Sequence, residues 1–141
     1  MVDSVTIKSS RNDYELTLSL PQPLGSRQPV EYLQVNLNGN QIAASSSKVY
    51  IYEASQLASF FSDLAVYWKG WEGEKQWQSV EGDFLLGCRS NSRGHVAVRV
   101  TLKSGPYEDD WSVTAIIHID AGQLGEIASK VRDLLHVKDD S

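Results

Sequence analysis

Apolar positions along this chain change period in an ordered way. Val5 and Ile7 alternate with Thr6 and Lys8, so Val2 to Lys8 reads as a short strand. Asn12-Asp13 is a turn signal. Tyr14, Leu16, Leu18 and Leu20 share one face of a second strand. Pro21, Pro23, Gly25, Ser26 and Pro29 mark a loop. Leu33, Val35 and Leu37 align in a third strand, Val30 to Leu37. Asn38-Gly39 predicts a type I′ hairpin, because both residues tolerate positive φ. Ile42 to Tyr52 is the return strand, with a break predicted at the serines at 45, 46 and 47.

The period then shifts from 2 to 3.6. Leu57, Phe60, Phe61, Leu64 and Trp68 fall on one face of an amphipathic helix. Glu53 with Gln56 resembles a capping box with an acid in place of Ser or Thr. Gly70 and Gly73 are its predicted stop. The order then repeats. Trp77 to Val80 and Phe84 to Cys88 read as strands, and Asn91 to Gly94 as a turn. Val96, Val98, Val100 and Leu102 align from His95 onward. Ser104 to Asp110 is a Gly-Pro-acidic turn. Trp111, Val113, Ala115, Ile117 and Ile119 share a face of the last strand. A second helix starts at an Asp120 cap with Gln123 three residues on. Its stripe is Leu124, Ile127, Ala128, Val131 and Leu134 or Leu135.

The halves also match residue by residue. Glu53-Ala54-Ser55-Gln56-Leu57 recurs as Asp120-Ala121-Gly122-Gln123-Leu124, 67 residues later in a chain of 141. Residues 53–64 align with 120–131 without a gap, and Leu33, Val35 and Leu18 fall on Val100, Leu102 and Leu85. Duplication and shared strand-to-helix grammar both produce such a match. Either way the order is ββββα, twice. Hairpin connections make the sheets antiparallel, and helices on their apolar faces give the α+β class. One domain over 1–141 is expected, with halves of about 1–70 and 71–138.

Composition narrows function. The net charge is −5, from 13 Lys and Arg against 18 Asp and Glu. That balance disfavours generic nucleic-acid binding, which draws its affinity from phosphate neutralisation. Cys88 is the only cysteine, so neither an internal disulfide nor a cysteine metal cage can form. No apolar run approaches the length of a membrane span, and the N-terminal residues lack a signal-peptide pattern. A soluble cytoplasmic protein without cofactor or metal is the expectation.

Two resemblances follow. The repeated ββββα order is similar to the Whirly and Pur-alpha families, whose paired repeats form single-stranded nucleic-acid platforms. That likeness implies exposed aromatics and basic residues on a curved sheet. The candidates are Lys8, Arg89, Arg93, Arg99 and Lys103, which are scattered in sequence. Separately, Trp68-Lys69-Gly70-Trp71, Gly94-His95-Val96-Ala97-Val98 and Asp110-Trp111-Ser112-Val113 running to Gly122-Gln123-Leu124 resemble an uncharacterised bacterial domain-of-unknown-function family. The likeness covers roughly residues 45–136 and implies no activity. Small acidic bacterial proteins of this build are often immunity proteins against toxins, an association of build rather than of chemistry.

Candidate chemistry is sparse. Trp68, Trp71 and Trp77 fall within ten residues. Trp68 extends the predicted helix face, whereas Trp71 and Trp77 either cover the core edge or form a binding surface, for which indole is suited. Glu108, Asp109 and Asp110 form an acidic hairpin tip suited to a basic partner. Their run lacks the alternating ligands and supporting glycine of a calcium loop, and a plain solvated turn is the alternative to a partner surface. His95 is placed to approach Asp109 or Asp110 across a hairpin, and His118 to point away from the core. Cys88, beside Arg89, reads as a buried inert thiol or an activated one. The favoured reading is a non-catalytic protein-binding module using Trp71, Trp77, Glu108, Asp109 and Asp110 toward a basic protein. A single-stranded nucleic-acid platform and an enzyme using His95 with nearby acids are the alternatives. Edge pairing into a homodimer is a further expectation.

Overall fold

The computed structural model describes residues 3–21, 30–91 and 93–137. The proline-rich loop around Pro23, Gly25, Ser26 and Pro29 lies outside these residues, as do Val2, Ser92 and Lys138. Two four-stranded antiparallel meanders are present among them. The first contains β1 (Ser4–Lys8), β2 (Glu15–Ser19), β3 (Tyr32–Asn38) and β4 (Ala43–Tyr50), followed by helix α1 (Ala54–Val66). The second contains β5 (Lys75–Gln78), β6 (Phe84–Ser90), β7 (His95–Lys103) and β8 (Ser112–Asp120). A 3-10 turn, Ala121–Gln123, then leads into α2 (Leu124–Leu135). The chain is α+β with the ββββα order repeated.

Alternation explains the strands. In the first sheet Val5, Ile7, Leu16, Leu18, Leu33, Val35 and Leu37 are all buried, and their neighbours face outward. In the second sheet Phe84, Leu86 and Cys88 pair with Leu102, Val100 and Val98 on the inner face. The helices present Leu57, Phe61 and Leu64, and Leu124, Ile127, Val131, Leu134 and Leu135. These residues join one apolar cluster. Burying each large aliphatic side chain stabilises by about 1.5–3 kcal/mol. The helices pack on each other, and the sheets approach at two corners, β1 with β8 and β4 with β7.

Several local expectations are corrected. The β3–β4 hairpin forms, but not as a type I′ turn at Asn38-Gly39, because neither residue has positive φ. Gly39 donates to Ile42 O at 2.8 Å, so Asn40 and Gln41 form the tip. A Cβ on Gly39 would lie 2.7 Å from the Tyr14 ring, so close aromatic packing is what calls for glycine there. The predicted break in β4 is a register shift in its pairing with β3, between Leu33 and Val35. Helix α1 ends at Val66, so Trp68 is off the buried face and 53% exposed. Trp111 precedes β8 and is also exposed.

Candidate functional site

The hairpin joining β7 to β8 is built around Asp110. One carboxylate oxygen accepts the backbone N–H of Tyr107 at 2.8 Å, and the other accepts the Ser104 hydroxyl at 3.2 Å. The Ser104 oxygen in turn accepts the N–H of Trp111 at 3.0 Å. Gly105 leaves room for this arrangement, since a Cβ there would lie 2.6 Å from Asp110 Oδ2. Asp110 therefore turns inward and organises the loop. Glu108 and Asp109 point to solvent, flanked by Tyr107, 77% exposed, and Trp111, 45% exposed. Two carboxylates and two aromatic rings thus share one projecting tip.

Trp71 and Trp77 do not extend this surface. Trp71 is half-buried and donates its indole N–H to Cys88 O at 3.0 Å. Trp77 packs edge-to-face on Phe84, with ring centres 5.7 Å apart, at the margin of the core. Cys88 pairs with Val98, five residues before Lys103 on β7. At the rise of an extended strand this separates the Trp71 anchor from the tip by about 17 Å. The outward aromatics of the tryptophan segment are instead Tyr67 and Trp68. Lys75 lies over the Tyr67 ring at 4.5 Å while its ammonium pairs with Asp63 at 2.9 Å.

Glu74 occupies the outer face of the second sheet, a position no sequence pattern marks. Its carboxylate sits over Gly87, where a Cβ would lie 2.7 Å from it. Arg99 pairs with it at 2.7 Å and Arg89 at 3.7 Å. The Gln76 amide, then Arg99 and Arg89, hold this carboxyl below its usual range, against the opposing effect of burial. Two of the five basic residues considered for a nucleic-acid face are thereby engaged. Lys8 stands opposite Glu15 in the β1–β2 register.

His95 does not meet the tip acids. It stands across from Asp120 at the start of the nine-residue β7, whereas Asp109 and Asp110 follow its far end. Its Nδ1 lies 3.1 Å from Arg11 Nη2. His118 points away from the core, and burial, then Arg11 and His95, lower its pKa. Cys88 is fully buried, and burial with Glu74 pushes its thiol up to about 12, so Arg89 does not activate it. Among the described residues no group of three or more His, Cys, Asp or Glu side chains is placed to hold a metal ion. No helix among them is long and apolar enough to cross a membrane.

Residues 8–138 match a family of unknown function, DUF6228. The chain belongs to this family. The DUF6228 match runs from the last residue of β1 through α2, taking in the tryptophan segment and the acidic tip, and extends beyond the 45–136 span of the resemblance seen in sequence. No curated protein matches the chain significantly.

Proposed function

We propose that this DUF6228 chain is a non-catalytic protein-binding module that meets a basic partner through the β7–β8 tip. The observation supporting this is the pairing of outward Tyr107 and Trp111 with outward Glu108 and Asp109 on a turn stiffened by Asp110. Aromatic side chains dominate binding hot spots, and flanking acids speed encounter with a cationic surface. Immunity toward a basic toxin is one form of this role. The test is affinity capture from bacterial lysate with wild-type bait and a Glu108→Lys/Asp109→Lys bait. Recovery of one basic protein by wild type alone supports the reading. Equal recovery by both removes the tip from it.

A nucleic-acid platform has one observation in its favour. Tyr32 and Tyr50 lie cross-strand on the outer face of the first sheet, 5.1 Å apart, with the Lys48 ammonium 5.2 Å from the Tyr32 ring. Stacking on such rings supports single-strand binding. Anisotropy of a labelled oligonucleotide at low salt decides it: a rise lost in Tyr32→Ala/Tyr50→Ala supports the platform, and no rise ends it. Homodimerisation would use β5, an edge strand of only four residues. Sedimentation at increasing protein concentration tests that.

A further inference from the structure

Among the described residues, Tyr52 and His136 are the two other than glycine with left-handed backbone, at φ 59° and 56°. Both line the same hollow of about 650 Å³, between the start of α1 and the end of α2. His136 has a local explanation. It closes α2, with its own N–H on Asp133 O and that of Val137 on Arg132 O. Tyr52 has none. The position 67 residues later is Ile119, which continues β8 and is buried. The fold therefore reaches its helix from a regular strand in one half, and through a strained tyrosine in the other. That turn swings the Tyr52 ring out of the core to 56% exposure, onto the wall of the hollow.

The remaining lining defines what fits. Val30, Leu135 and Val137 supply an apolar floor. Glu31 and Glu53 supply two carboxylates, and the Gln56 amide contacts Glu53 at 3.4 Å. The volume lies within the roughly 300–1,000 Å³ of small-molecule sites. We infer that this hollow binds a small organic cation with an apolar body, an aralkyl ammonium. The ammonium pairs with Glu31 and Glu53, and the body lies on Val30, Leu135 and the Tyr52 ring, whose face also attracts cations. The site is separate from the β7–β8 tip and stands or falls independently of it.

The test is NMR titration of the full chain with phenethylammonium, using neutral 2-phenylethanol as the near-isosteric control. Saturable shifts at Tyr52, Glu53, Ser55 and His136 are expected, with the alcohol and a Glu53→Gln variant each about tenfold weaker. Tyr52→Gly should raise the melting temperature by releasing the backbone while weakening the amine, which separates lost binding from lost folding. Shifts elsewhere, equal binding of amine and alcohol, or no saturation would overturn the assignment. So would tighter binding of N-acetyl-lysine methylamide, which carries the cation without the aromatic body.

Discussion

The backbone N–H of Ser10 donates to the carbonyl of His118 at 2.8 Å, tying the turn after β1 to the edge strand β8. Val80, in the β5–β6 turn, donates to Tyr50 of β4 in the same way at 3.1 Å. Each half thus uses its first turn to reach the last strand of the other. Ser9 Oγ accepts the His118 N–H at 3.0 Å, and Asn12 donates to Ile116 O at 3.1 Å. Exposed edge strands invite pairing with other chains, and these turns cover part of β8. The reciprocity extends the sequence repeat into three dimensions.

Ser79 and Asp83 are buried in the β5–β6 turn. The Ser79 hydroxyl donates to Asp83 at 2.6 Å and accepts the Phe84 N–H at 3.1 Å. Ser79→Ala leaves both partners short of a bond. A loss of about 1–3 kcal/mol is expected in urea unfolding.

The two helix starts differ despite their sequence match. Gln123 Oε1 accepts the Asp120 N–H at 2.9 Å, whereas Gln56 reaches only the Glu53 side chain, at 3.4 Å. Gln123→Ala should lower stability by about 0.5–1.5 kcal/mol. Gln56→Ala should change it by less, as read by thermal unfolding of the two variants side by side.

Cys88 should resist thiol reagents in the native state. Burial holds its pKa at about 12, so the thiolate is scarce near neutral pH. Labelling by a disulfide reagent should follow global unfolding and accelerate with urea. Fast labelling in buffer would show that the second sheet opens locally.

Glu74 carries a pH signature. Its folded pKa lies below the ordinary carboxylate value, so its contribution is fully present above that value and fades as pH falls through the folded pKa. The melting-temperature gap between wild type and Glu74→Gln should be open at neutral pH and narrow in acid. Salt should narrow it too, because Arg89 and Arg99 are partly exposed.

The sheets and helices were legible because one buried face imposes a period. Leu16 and Leu18, or Leu124 and Val131, are buried as their spacing requires. Spacing says nothing of where the covering surface ends, so Trp68 and Trp111 continue a stripe past its element into solvent. The Glu74 cluster was hidden because register alone brings residues 74, 89 and 99 together. The inward role of Asp110 depends on how Ser104 and Tyr107 fold back, which three successive acids do not reveal. The left-handed turn at Tyr52 has no residue signal, since tyrosine rarely adopts it.

The most direct test of the proposed recognition through the β7–β8 tip is site-specific photo-crosslinking in lysate of the source organism. A photoreactive phenylalanine analogue replaces Tyr107 in one protein and Thr6, on the outer face of the first sheet, in another. One basic protein crosslinked from position 107 and not from position 6 is the predicted result. The same protein captured from position 6 alone, or from neither position, would contradict recognition through the tip.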